Sequence, residues 1–336
     1  MRYIFQKALS LFHAIKGNWI CIPVRVFLIL FALEIIFILR MNDGHLIYTL
    51  DDAYIHLSLA ENISRGEYGV NPGESCAPSS SIIWPLLLVP FSKFQFGNLI
   101  PLIINLFASI GTIIVCTRII LLIFDDTSSR KLNLFCIFIS ILLIPAFNLI
   151  GLAFTGMEYS LQIFIISLVV LGLIQIALNK KTHWWFYPAI ILGPLIRYEN
   201  LAISLPALIF LFKLNPKASI VSAILMFLPI IGFSLFLHSM GPGIFPSSIL
   251  VKSDPVMDAG KPIAILGNFL RNILLHRQGL MLLALPGFLY MNYRFIKPGK
   301  ERIFKKQSCA PLFFIFYSGN SAITTDMRYI SGCQCF

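Results

Sequence analysis

Long apolar runs, separated by short polar or basic clusters, set the pattern of the chain from Ile20 onward. The first run, Ile20–Leu39, is about as long as a helix needs to be to cross a bilayer. Comparable runs follow at about 98–124, 132–150, 159–178, 184–196, 201–212, 218–237, 278–292 and 309–323, two of them short. The pattern predicts an all-α, polytopic transmembrane protein of about nine spans. Residues 1–19 place Arg2, Lys7 and Lys16 among Ile4, Phe5, Leu9, Phe12 and Ile15, a basic amphipathic segment suited to lying on a membrane face. No small-residue cleavage site follows the first span, which runs into Arg40-Met41-Asn42-Asp43, so it reads as a retained anchor. Residues 40–97 form a long loop. Within it Ile82–Phe91 is apolar but too short to span, and Pro85 and Pro90 interrupt it, so it is expected at the membrane interface. Residues 238–277 form a second loop and 293–308 a basic one.

Composition agrees with the pattern. The chain is 57% hydrophobic and 12% charged, against about a quarter charged in ordinary soluble domains, and this excludes a soluble fold. All 336 residues read as one membrane domain, with no linker and no internal repeat. The net charge of +11 is mostly topological. Alternate loops (Arg130-Lys131, Lys180-Lys181, Lys213 to Lys217, Arg294 to Lys306) are basic, which predicts that they and the N-terminus are cytoplasmic. Asp43, Asp51, Asp52, Glu61, Glu67, Glu74, Glu158, Glu199, Asp254 and Asp258 fall in the opposite set, which is then external. The basic run after Arg294 suits anionic lipid and implies no nucleic acid. Four of the seven cysteines, Cys21, Cys116, Cys136 and Cys309, sit in apolar segments and read as small hydrophobes. The histidines show no zinc-site spacing, and His56 reads as a packed residue. Glu34, inside the first span, reads as structural.

The stretch richest in candidate chemistry is Thr49-Leu50-Asp51-Asp52-Ala53-Tyr54-Ile55, two adjacent carboxylates heading a segment that runs to Arg65 and stops at Gly66. On a helical wheel Ala53, Ile55, Leu57, Leu59, Ala60 and Ile63 share one arc, with Ser58, Glu61, Asn62 and Arg65 opposite. This predicts a surface helix with an Asp at its N-cap and a Glu61–Arg65 pair four apart. The carboxylates either cap the helix or, ionised beside the membrane, accept a proton from a hydroxyl. Glu158 stands at a span entrance, and Arg197 and Glu199 lie between two short apolar segments, where an ion pair sealing the turn competes with a binding role. Arg197 and Lys252 are the external cations best suited to a lipid phosphate, and Lys252 suits an interfacial anchor equally.

Together these residues resemble a family. The run Thr49–Ile55, then Ala60-Glu61-Asn62, then Val70-Asn71-Pro72-Gly73-Glu74 and, more loosely, Ser79-Ser80-Ser81-Ile82-Ile83-Trp84 is similar to the first external loop of bacterial C-type (GT-C) glycosyltransferases. Thr155-Gly156-Met157-Glu158 resembles the family's T-G-[LM]-E, and Arg197-Tyr198-Glu199-Asn200 its R-P-E-G with two replacements. Phe245-Pro246-Ser247-Ser248 with Val251-Lys252-Ser253, and Asp326-Met327-Arg328-Tyr329, are weaker likenesses. The resemblance implies a GT-C-like multi-pass enzyme of the cytoplasmic (inner) membrane with its site external. Such an enzyme moves a sugar from a polyprenyl-phosphate donor to an external cell-envelope glycan or lipid acceptor, with inversion. It implies catalysis by Asp51 as base, with Asp52 as orienting partner, cap or ligand of a divalent cation, and substrate binding by Glu158, Arg197, Glu199 and Lys252. No other cofactor is implied. A transporter or flippase of lipid-linked sugars is the alternative from another class, although no paired broken helices mark it. The stop shortly after the last apolar run leaves a truncated, non-catalytic relative as a third reading.

Overall fold

A computed structural model describes residues 21–124, 130–179 and 182–241. Among these every regular element is helical. In chain order they are α1 (Cys21–Met41), α2 (Asp52–Ile63), α3 (Ile83–Leu88), α4 (Ile100–Phe124), α5 (Arg130–Ala146), α6 (Leu149–Phe154), α7 (Tyr159–Asn179), α8 (Phe186–Ile196), α9 (Leu201–Phe212) and α10 (Pro216–Met240). Single 3-10 turns occupy Val89–Phe91, Gly97–Leu99 and Tyr198–Asn200. The expected segment 1–19, the spans at 278–292 and 309–323, most of the 238–277 loop, the 293–308 loop and Lys252 lie outside the described residues.

Among the described residues four helices are long and apolar enough to cross a membrane: α1, α4 with its preceding turn (Gly97–Phe124), α7 (Tyr159–Leu178) and α10. Their outward faces are apolar. Ile29, Leu33 and Phe37 on α1, and Ile224, Leu228 and Leu235 on α10, are more than half exposed, which in a water-soluble protein would be a large unpaid apolar surface. The chain is an all-helical membrane protein. The remaining described runs form shorter helices. The run at 132–150 divides into α5 and α6, because Asn148 takes a left-handed conformation (φ 48°) just after Pro145, at a residue type that tolerates it. Helices α8 and α9 have 11 and 12 residues, about 17–18 Å each, short of the roughly 30 Å hydrocarbon layer.

The sequence accounts for the end of α8. Pro194 has no N–H to offer the Ile190 carbonyl, and the Ser204 hydroxyl of α9 donates to that oxygen instead (3.0 Å). The Gly193 carbonyl accepts from the Arg197 amide (3.1 Å) and from Asn200 Nδ2 (2.8 Å), so the freed polar groups are satisfied where α8 gives way to the turn. Where α10 starts, Asn215 Oδ1 accepts from the Ala218 amide (3.1 Å), with Pro216 opening the helix.

The predicted surface helix is present as α2, followed by Gly66 at φ 90°. Two details are corrected. Asp51 occupies the N-cap position but makes no side-chain cap hydrogen bond, its backbone already being helical. Asn62, expected on the solvent face, is buried and donates from Nδ2 to the carbonyls of Gly69 and Val70 (2.8 Å each), tying the following loop to the helix. Ala60 packs with Trp84 and Leu88 of α3 and with Ile100 of α4. A second cluster joins Phe27, Phe31 and Ile38 of α1 to Tyr48, Ala53 and Phe154.

Candidate functional site

Three segments far apart in sequence meet at one end of the helices. The first is the strand-like approach to α2. Thr49 donates to the Phe154 carbonyl from its amide (3.1 Å) and its hydroxyl (3.3 Å), and this pins the residues just before Asp51 to the end of α6. Tyr48 Oη donates to the Asn98 carbonyl (2.6 Å) and accepts from the Leu102 amide (3.3 Å), joining the same segment to the start of α4. The second segment is Thr155–Glu158. Gly156 turns at φ 68° and passes so close to α2 that a Cβ there would stand 2.6 Å from the Ala53 Cβ and 2.8 Å from the Tyr48 ring. Asn105 of α4 steadies this turn by donating from Nδ2 to the carbonyls of Met157 (2.9 Å) and Ala153 (3.2 Å).

The third segment is the α8–α9 turn. Arg197 Nη1 donates to Glu158 Oε1 (3.0 Å), Nη2 to Glu199 Oε1 (2.8 Å) and Nε to Glu199 Oε2 (3.3 Å). Its guanidinium carbon lies 4.7 Å from the centroid of the Tyr159 ring, a cation–π contact. Glu158 is fully buried and Arg197 nearly so, whereas the Glu199 side chain is 58% exposed. Burial opposes charge on Arg197, but its hydrogen bonds to Glu199 and the negative charges of Glu158 and Glu199 outweigh it, and its pKa rises above the usual arginine value. Arg197 is thus paired with two carboxylates.

No protein-family model, curated protein or solved structure matches the chain.

Asp51 and Asp52 are both exposed at the head of α2. One turn on, His56 is buried, its Nδ1 lacks a hydrogen-bond partner, and it feels the charges of both Asp52 and Arg197. Burial pushes its pKa down to about 4, with Asp52 opposing and Arg197 adding to the effect. His56 is therefore packed and neutral, within electrostatic reach of both Asp52 and Arg197. The backbone adds a further link, since the Ile82 amide donates to the Leu195 carbonyl (3.0 Å), two residues before Arg197. Tyr68, in the loop after α2, packs edge-on against Phe233 and Phe236 of α10 at 6.0 and 5.4 Å.

The structure thus groups Glu158, Arg197 and Glu199 directly, and joins Asp51 and Asp52 to them through Ala53, His56 and the Thr49–Phe154 bonds. Glu61 and Arg65 form the expected exposed pair. Among the described residues no three His, Cys, Asp or Glu side chains cluster as metal ligands would. Tyr159 and Asn105 are not singled out by the sequence, and Asn200 enters it only as the last position of the Arg197–Asn200 likeness. An aromatic next to Glu158 and an amide inside an apolar span were the available signals.

Proposed function

We propose that this chain is an integral membrane glycosyltransferase of the C-type kind, moving a sugar from a polyprenyl-phosphate donor to an acceptor hydroxyl outside the cytoplasmic membrane. What supports the reading is one observation. The segments whose residues resemble the family's (Thr49–Ile55, Thr155–Glu158, Arg197–Asn200) lie more than a hundred residues apart at the extremes, yet each touches the next through the bonds just described. In this reading Asp51 takes the proton of the acceptor hydroxyl as its oxygen attacks the anomeric carbon. The bond from that carbon to the phosphate oxygen breaks on the opposite face, and polyprenyl phosphate leaves with the electron pair, so the anomeric centre inverts. Asp52 orients the acceptor or ligates a divalent ion.

Arg197 is assigned to the departing phosphate, with Lys252 in support. Buried Glu158 keeps the guanidinium in position, and the exposed Glu199 is the partner that the phosphate displaces. The test supplies labelled polyprenyl-phosphate sugar to membranes with and without the protein. Label should move to an external glycan or lipid in a protein-dependent way. Asp51→Asn should reduce that transfer by about 10²–10⁴-fold with insertion unchanged. Undiminished transfer in Asp51→Asn and in the Asp51→Asn/Asp52→Asn double variant would remove the base assignment.

A further inference from the structure

The loop that carries the candidate site has a second, apolar side with no described protein against it. Trp84 and Leu88 of α3 are buried toward α2 and α4, but Leu86 and Leu87 between them are 50% and 38% exposed. Beyond the Val89–Phe91 turn, Phe94 and Phe96 stack with ring centroids 5.1 Å apart and 14° between planes, and each is about half exposed (54% and 49%). The turn is tightly closed. The Phe94 amide donates to the Phe91 carbonyl and the Gly97 amide to the Phe94 carbonyl (3.0 and 2.9 Å), and a Cβ on Gly97 would stand 2.5 Å from the Phe91 oxygen. The two rings are therefore held beside the start of the helix that follows. Along that helix Leu99, Ile103 and Phe107, four apart, carry the exposed apolar stripe onward. They belong to Gly97–Phe124, one of the four described segments long and apolar enough to cross a membrane, and no described residue covers them. The Leu86–Phe96 patch continues the same surface toward headgroup level, and exposed Lys93 at its tip has the length and charge to reach lipid phosphate.

We propose that Leu86–Phe96 is a lipid-seated wedge. Leu86, Leu87, Phe94 and Phe96 are covered by the glycerol and upper acyl region of the leaflet that Leu99 and Ile103 enter, and Lys93 meets its phosphates. Leu88 on its buried side, with Trp84 just before it, packs against α2, and the preceding Ile82 amide bonds the end of α8, so the wedge fixes the height of Asp51, Asp52 and Arg197 over the bilayer. The inference rests on the membrane fold and stands whether or not the chain transfers sugar.

The test places the full chain, as Phe94→Trp, Phe96→Trp and Ser75→Trp variants, in phosphatidylcholine vesicles brominated either near the glycerol or near the tail ends. Fluorescence is read as the difference from the parent chain, whose own tryptophans are common to all. The added signal at positions 94 and 96 should be quenched most by the shallow bromines, while that at exposed Ser75 is quenched by neither. Quenching at 94 and 96 no greater than at 75, or strongest from the deep bromines, overturns the proposal. So does an unquenched signal accompanied by cross-linking of Phe94→Cys between two chains, which would assign the patch to a second copy.

Discussion

Arg197 is held by two carboxylates of unlike exposure, and the difference decides what each contributes. Glu158 is fully buried, so its loss leaves a guanidinium in the protein interior facing one partner instead of two. Removing one member of a buried pair costs about 3–5 kcal/mol, whereas an exposed pair is worth about 1 kcal/mol or less. Glu158→Gln should therefore lower thermal stability in detergent or nanodiscs far more than Glu199→Gln. Equal melting points for the two variants would show that burial does not govern this cluster. His56 makes a separate, pH-dependent contribution. Its pKa falls from an ordinary 6.5 to about 4 on folding, so between these values the unfolded chain binds a proton that the folded chain does not. Stability from this group is complete above pH 6.5, declines as pH falls, and is lost below pH 4, a change of about 3 kcal/mol. Asp52 and Arg197 act on it in opposite directions, and burial dominates both. Comparing melting curves of the parent chain and His56→Leu isolates the effect. The parent should lose more stability than the variant as pH falls from 6.5 to 4, and parallel curves would rule out a buried neutral histidine.

At the scale of elements, the site depends on turns that the apolar pattern does not reveal. Gly156 combines a positive φ with backbone contact to α2, and a side chain there meets Ala53 and Tyr48. Gly156→Ala should destabilise the fold by about 1–3 kcal/mol and loosen the approach of Glu158 to α2. Adding Ala53→Gly should relieve the clash with the Ala53 methyl and leave that with the Tyr48 ring and the φ strain. Full stability in Gly156→Ala, read by thermal unfolding, would mean the turn can open at no cost. Such contacts also explain what sequence reading reached and missed. The long helices, α2 and the Glu61–Arg65 pair are local, carried by composition and three-to-four spacing, and were legible. The break at Asn148 depends on one residue accepting a left-handed conformation, and the shortness of α8 and α9 on where Pro194, Asn200 and Ser204 exchange hydrogen bonds across a turn. Asn62 reads as a solvent-facing polar residue on any wheel. It is buried because the returning loop at Gly69 and Val70 brings carbonyls to its amide, a contact that a helical period cannot encode.

For the whole molecule, the contacts require that the start of α2, the Thr155–Glu158 turn, the Arg197 turn and the wedge lie at one end of the helices, since each is bonded or packed to the next. This coupling makes orientation a single two-way choice for the entire candidate site. The choice is proposed from charge alone. Along the sequence Arg130-Lys131, Lys180-Lys181 and Lys213 to Lys217 alternate with the segments that build the site, and Asp51, Asp52, Glu61, Glu67 and Glu74 fall in those segments. Lysine and arginine are retained on the cytoplasmic side during insertion, and acidic residues have little say, so the site's end is assigned to the outside. A cysteine replacing Ser64, at the end of α2, should then react with an impermeant maleimide on intact cells. A cysteine replacing Ser128, two residues before Arg130-Lys131 in the sequence, should react only after the membrane is opened. The seven native cysteines require a parent-chain control for background labelling. Labelling of the 128 position and not of the 64 position on intact cells would invert the whole arrangement at once. Because the site segments are tied together, no partial inversion could rescue an external acceptor, and the proposed transfer to the cell envelope would fail with it.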